Sequence, residues 1–279
     1  MSQTWFITGT SSGFGRLLTE QLLERGHRVA ATLRRPEVLD DLKDRHGDQL
    51  WTARLDVTDT PAVREVVGRA FDELGRIDVV VNNAGYGLFC AVEEAGDEQI
   101  RQIIDTNVIG SMQVIRAALP KLREQGSGRI VQVSSAGGQT TYPNFSYYHA
   151  SKWAIEGFAE TIAREVAPFG IGVTIVEPGA TGTSFAASLV TAPQMPEYDS
   201  TPAGDTRRAI ADGSFEISGD PHKMVQAIIE SVGQEPAPLR LALGKDSYTD
   251  VRASLMRRLE ELDGQKDVAL AAVLTATAG

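Results

Sequence analysis

Residues 5 to 23 allow very few folds. Trp5-Phe6-Ile7 is an apolar run of the length of a buried strand, and it stops at Thr8-Gly9-Thr10-Ser11-Ser12-Gly13-Phe14-Gly15. Beyond it, Leu17, Leu18, Leu22 and Leu23 recur at the spacing of one helical face. Strand, glycine-rich turn and helix, in that order, form the context in which such a turn grips phosphate. Gly9 permits the tight turn, Gly13 lets backbone approach a pyrophosphate, and Gly15 lets the helix pack closely. The helix N-terminus then offers N–H donors and the positive end of a dipole.

Further along the chain, strands are expected at Arg28–Leu33, 50–55, Ile77–Val81, Arg129–Val133, Ile171–Val176 and Leu239–Leu243. Helical patterns separate them at 37–46, 61–74, Asp97–Glu124, Tyr148–Val166, 221–232 and 247–263. Seven strands alternating with helices predict an α/β fold: a Rossmann-type, doubly wound parallel sheet with helices on both faces. Right-handed crossovers then bring the ends of the first and fourth strands together. No linker splits the chain, so one domain is expected over 1–263, with a tail at 264–279. Within it, 184–216 loses periodicity and gathers Pro193, Pro196, Pro202, Gly204 and Gly213. A long aperiodic run in a compact chain predicts a substrate lid.

A net charge of −10 argues against nucleic acid or anionic membrane as a partner. The single cysteine, Cys90, excludes an internal disulfide framework, and no Cys/His cluster has metal-ligand spacing, so no metal is expected. No apolar run approaches the ~20 residues of a membrane span. Met1-Ser2-Gln3-Thr4 runs straight into the first strand and leaves no room for a leader, which makes a cytoplasmic protein the expectation.

Candidate chemistry follows the strand ends. After the second strand, Leu33-Arg34 stands where an NAD site usually has an acid, and an arginine there suits the 2′-phosphate of NADP. Asp56 ends the third strand as a ligand contact or a helix N-cap. Asn82-Asn83-Ala84-Gly85 closes the fourth, and Ser134-Ser135 the fifth. Asn107 interrupts a helical stripe, where asparagine is a poor helix former. Tyr148 and Lys152 are four apart on one helical face. A phenol has a pKa near ~10, and an adjacent ammonium stabilises its anion, each unit of lowering being worth about 1.4 kcal/mol.

Thr8-Gly9-x-x-x-Gly13-x-Gly15, Asp56, Asn82-Asn83-Ala84-Gly85, Asn107, Ser135, Tyr148-x-x-x-Lys152 and Pro178-Gly179 occur in that order over residues 3–183. Together they resemble the short-chain dehydrogenase/reductase family, and the glycine spacing is similar to its single-domain, hydroxysteroid and retinol dehydrogenase-like branch. The resemblance implies that Tyr148 is the general acid in carbonyl reduction and the base in alcohol oxidation. Lys152 would lower its pKa and bind the nicotinamide ribose. Ser135, thirteen residues before the tyrosine, would bind the substrate oxygen, and Asn107 would hold a water linking Lys152 to solvent. Tyr147 is set aside because Ser151, not lysine, lies four residues beyond it.

By the same resemblance the cofactor would contact Gly9, Ser11, Ser12, Gly13, Phe14, Gly15, Arg34, Asp56, Val57, Asn83, Ala84, Gly85, Tyr148, Lys152, Pro178, Gly179, Thr181 and Thr183. Ser12 stands where NADP-preferring members often carry a cation, which leaves Arg34 to read the phosphate: NADP(H) preferred, NAD(H) possible. Substrate would meet Ser135, Tyr142, Phe145, Phe185 and Leu189, with Leu88, Phe89, Cys90, Met195 and Tyr198 nearby. That largely apolar set predicts a hydrophobic ketone or alcohol. A homo-oligomer, dimer or tetramer, is expected. Two other readings stay open: a dinucleotide-binding regulator without turnover, and a reductase of carrier-bound 3-oxoacyl chains, which would call for a basic docking patch.

Overall fold

The computed structural model describes residues 2–182, 185 and 188–273. Strands β1 (Thr4–Thr8), β2 (Arg28–Leu33), β3 (Leu50–Arg54) and β4 (Val79–Asn82) alternate with helices α1 (Gly13–Glu24), α2 (Asp40–His46) and α3 (Thr60–Leu74). A short β5 (Leu88–Phe89) leads to α4 (Asp97–Ile104) and α5 (Ser111–Gln125), then β6 (Gly128–Val133), α6 (Ser146–Val166) and β7 (Ile171–Pro178). The last part holds β8 (Val190–Thr191), α7 (Pro202–Ala211), α8 (Pro221–Val232), β9 (Arg240–Leu243), α9 (Lys245–Asp263) and α10 (Lys266–Ala271).

Among the described residues seven strands form one parallel sheet in the order β3-β2-β1-β4-β6-β7-β9. Because neighbouring side chains of a strand point to opposite faces, the register sorts the core into two layers. Phe6, Ala30, Val80 and Ile130 face α3, α5 and α6, packing with Val66, Ile115 and Ala159. Trp5, Ile7, Val29, Val79 and Val131 face the other way, onto Leu18 and Leu22 of α1 and Val225 and Ile228 of α8. Burial on both faces explains why β1 reads as unbroken apolar sequence rather than as an alternation.

Helix ends follow local chemistry. Asp59 accepts the Ala62 N–H at 3.0 Å to cap α3, and Asp220 accepts from His222 and Lys223 at α8. The helix expected over Asp97–Glu124 is divided: a π-helical turn at Asp105–Gly110 separates α4 from α5, with Asn107 inside it. The stretch expected to be aperiodic contains β8 and α7. Pro202 does not break structure there but begins α7 at a position that favours proline, with Thr201 accepting the Ala203 N–H at 3.2 Å. β8 pairs with β5 in a small parallel sheet. The end of the chain, expected as a loose tail, carries the exposed α10. No helix among the described residues is long and apolar enough to cross a membrane.

Candidate active site

The C-terminal ends of β1 and β4 are tied together by their own side chains. Asn83 donates from Nδ2 to the carbonyls of Thr8 (2.9 Å) and Gly9 (3.0 Å), while Thr8 Oγ1 accepts the N–H groups of Asn83 and Ala84. Gly9 has φ +71°, and a β-carbon on it would lie 2.8 Å from Ala84 Cα. On Gly15 one would lie 2.3 Å from the Gly9 carbonyl oxygen. Only glycine fits either place. Ser12 is the N-cap of α1 in extended conformation, yet its side chain caps nothing, and the first turn carries no acid. The first N–H groups of α1, with Ser11 and Phe14 beside them, thus have no side-chain cap.

Leu33 is buried at the end of β2, whereas Arg34 is exposed and makes no ion pair among the described residues. Asp56 is not the N-cap of α3; it closes a local turn by accepting from Thr58 N–H (3.0 Å) and Oγ1 (2.8 Å). Val57 packs where a β-carbon on Gly110 would come within 2.8 Å of its Cγ2. Pro178-Gly179 ends β7, with the Ala180 N–H held by Asp246 of α9 at 2.5 Å and Thr181 Oγ1 donating to the Gly179 carbonyl. Asp246 was missed from sequence, since it lies outside every strand-end motif. Thr183 lies outside the described residues, as does the start of the expected lid at Ser184.

Tyr148 and Lys152 are both buried on α6. Lys152 Nζ is 5.6 Å from the centre of the Tyr148 ring and donates to the Val133 carbonyl at 3.0 Å. Ser135 lies beside the Tyr148 phenol and favours its anion, and its Oγ accepts the Gly137 N–H at 3.0 Å. Ser134 turns away to Glu156 (2.6 Å), and the Tyr147 hydroxyl is spent on the Val92 carbonyl (2.7 Å).

Proton affinities depart from the sequence expectation. Burial pushes the Tyr148 phenol up to about 12, Ser135 opposing it. Burial likewise pushes Lys152 down to about 8, opposed by the Glu156 carboxylate. Desolvation of both charged forms therefore outweighs any lowering of the phenol by the ammonium.

Asn107 is held in place through its side chain. Its Oδ1 accepts the Tyr86 N–H (3.0 Å), and its Nδ2 donates to the Tyr86 carbonyl (2.9 Å) and to Ser151 Oγ (3.0 Å). Both amide hydrogens are taken, so the side chain braces the 85–86 turn against α6. A second brace, unforeseen from sequence, is His149. Its Nε2 accepts the Tyr142 N–H (2.9 Å), which leaves Nδ1 as the donor to the Gly137 carbonyl (2.8 Å).

Above the phenol the walls are apolar. Phe145 lies 5.9 Å and Phe185 5.6 Å from the Tyr148 ring, with Phe89 5.0 Å from Phe145. Leu88 and Cys90 are buried in the same cluster. Phe185 and Leu189 lie over Gly87, where a β-carbon would come within 2.8 Å of both side chains. Tyr142 is tethered elsewhere, its hydroxyl donating to Asp250 of α9 at 2.7 Å. Met195 meets the loop before α4 through its N–H, which donates to Glu94 at 2.7 Å.

Comparison with known proteins sets this geometry among relatives. The family model for short chain dehydrogenases matches residues 3–194. An oxidoreductase of Botryotinia fuckeliana, BOA17, is 38% identical over 264 residues, covering 94% of this chain and 96% of that one. The crystal structure of a short-chain dehydrogenase from Streptomyces avermitilis superposes with a TM-score of 0.91 at 39% identity, covering 98% of both chains. The closed form of serine dehydrogenase complexed with NADP+ gives a TM-score of 0.72 at 30% identity, covering 86% of this chain and 94% of that one.

Proposed function

The chain belongs to the short-chain dehydrogenase family of NAD(P)-dependent oxidoreductases, and on that premise we propose that it interconverts a hydrophobic ketone and its alcohol with NADP(H), Tyr148 carrying the proton. The observation that carries this reading is the buried Tyr148–Lys152 pair, with half-buried Ser135 beside the phenol, beneath a wall of Phe145 and Phe185. The cradle suits a dinucleotide: the backbone approach at Gly9 and Gly15 and the uncapped start of α1 fit a pyrophosphate. Arg34, exposed and without an ion pair among the described residues at the end of β2, fits a 2′-phosphate, and the 30%-identical serine dehydrogenase is complexed with NADP+.

The bound cofactor supplies or accepts hydride; the residues manage the oxygen. Ser135 and Tyr148 donate hydrogen bonds to the carbonyl oxygen as negative charge gathers there, in a pocket that apolar walls keep dry. With its pKa raised to about 12, the phenol is protonated at neutral pH and set to give its proton to the forming alkoxide. The ammonium of Lys152 offsets the phenolate left behind. Asn107 and His149 act on the loops at either side of Tyr148, fixing where the phenol points.

No arginine or lysine among the described residues is placed free in the Phe145–Phe185 wall, which supports an uncharged substrate. The exposed row Leu255, Leu259 and Leu262 on α9 supports a homo-oligomer, since such a stripe favours cover. A cytoplasmic setting completes the proposal. The test is turnover of NADPH against a panel of bulky ketones, small ketones and keto acids. Faster turnover of small charged keto acids than of bulky ketones would remove the substrate class.

A further inference from the structure

Residues 190–211 are not a free flap, because α7 is bound to the core by a buried ion pair. Arg207 of α7 and Glu94 of the loop before α4 are 8% and 0% exposed in their side chains. A single guanidinium nitrogen, Nη2, donates to both Glu94 oxygens, at 2.7 and 2.6 Å, and lies 3.3 Å from Asn144 Oδ1. The same carboxylate accepts the Met195 N–H from one side and the Ala91 N–H from the other, both at 2.7 Å. Burial alone would raise its pKa, but these donors hold it below the ordinary carboxylate value.

The third partner carries the contact toward the phenol. Asn144 donates from Nδ2 to the Ala203 carbonyl in the first turn of α7 (2.7 Å), and its own carbonyl accepts the Cys90 N–H (2.9 Å). It holds φ +67°, a left-handed conformation that asparagine tolerates better than most residues. The next residue is Phe145, whose ring packs on Phe89 and Tyr148.

Resting on the ketone reading above, we propose that Arg207 and Glu94 are positioning residues for the substrate: their ion pair locks α7 and Asn144 in place, sets Phe145 over Tyr148, and so determines how bulky a ketone reaches the phenol. Stability alone is weak reason for such a pair, since well-packed apolar replacements of a buried ion pair are often neutral or stabilising. What an apolar pair lacks is direction. The carboxylate fixes Ala91, Met195 and Arg207 relative to one another through oriented bonds, and the paired charges leave the pocket wall neutral.

The test compares wild type, Arg207→Met, Glu94→Gln and the double variant Glu94→Leu with Arg207→Met. Each is assayed with NADPH against one bulky and one small ketone that the wild type reduces, alongside NADPH affinity and limited proteolysis within 190–211. Arg207→Met should raise KM for the bulky ketone by about ten- to a hundredfold, the worth of a charge-assisted bond. Its kcat for the small ketone and its NADPH affinity should stay near wild type, and cleavage within 190–211 should quicken. Glu94→Gln, which keeps the shape but not the charge, should do the same more weakly. The double variant leaves no uncompensated buried charge, so it should regain thermal stability without regaining the bulky-ketone KM. A double variant with wild-type KM for both ketones overturns the proposal, as does a uniform loss of NADPH affinity and of both activities. A wild type that reduces no ketone removes the substrate reading instead, and the lock then stands or falls on proteolysis of 190–211.

Discussion

Tyr148 works under opposed influences, and each is open to a single substitution. Tyr148→Phe deletes the proton donor and leaves the cradle intact, so turnover should vanish while NADPH affinity, measured by titration, stays close to wild type. Retained turnover would end the assignment. With Lys152 pushed down to about 8, the ammonium is lost as pH rises past that value, and with it the partner of the nascent phenolate. Ketone reduction should therefore decline on the alkaline side of about 8, and a flat profile through the ordinary lysine range would contradict this. Arg34→Ala should cut the preference for NADPH over NADH by about ten- to a hundredfold, the value of a charge-assisted phosphate contact; equal loss with both cofactors would make Arg34 structural. That Tyr148 and Lys152 share one face of α6 was legible because their spacing is one helical turn; Ser135 was reached through the family resemblance, by its place thirteen residues before the tyrosine. The proton affinities were not, because burial belongs to the folded chain: Phe145 is a near neighbour of Tyr148 in sequence, but Phe185 reaches the same ring from beyond β7.

At the scale of elements, the π-helical turn at Asp105–Gly110 joins the turn after β4 to α6 through one amide. Asn107→Leu leaves the Tyr86 N–H and carbonyl and Ser151 Oγ without that partner, at a cost of about 1–3 kcal/mol for each buried polar group left unpaired. Melting should fall by several degrees, at roughly 2–4 °C per kcal/mol for a domain of this order of size. Catalysis should fall more than cofactor binding. An unchanged melting temperature would show that the turn does not depend on the amide. Sequence pointed to Asn107 as an odd residue in a helix but not to the wide turn, since the pattern of apolar residues continues through it. Pro202 misled in the opposite sense: among four other helix-disfavouring residues it read as part of an aperiodic lid, whereas Thr201-Pro202 is a helix start.

The whole molecule carries its charge balance across the sheet. Glu177 on β7 is buried beside Glu156, with Arg240 of β9 at 3.1 Å, and desolvation and Glu156 raise its pKa while Arg240 lowers it. A carboxyl with a raised folded-state pKa binds its proton more tightly folded than unfolded, so its contribution to stability falls as pH rises from the usual carboxylate range toward neutrality. Glu177→Gln imitates the protonated form. Its melting temperature relative to wild type should climb across that pH window, and a difference independent of pH would contradict the linkage. The seven-stranded, doubly wound parallel sheet was legible as a whole, since strand and helix periods alternate along the chain. The pairing of β5 with β8 was not, because two-residue strands carry no period. The bonds from Asn83 to Thr8 and Gly9 have a temporal consequence, spanning as they do some 75 positions of chain. A ribosome-bound chain that ends before Asn83 has its glycine turn but lacks the second wall that shapes it, so the dinucleotide site proposed above would be complete only once β4 has emerged and closed on β1. The dinucleotide is in this sense a late clamp on folding, and saturation at about 100 times Kd would hold the finished sheet by about 2.7 kcal/mol.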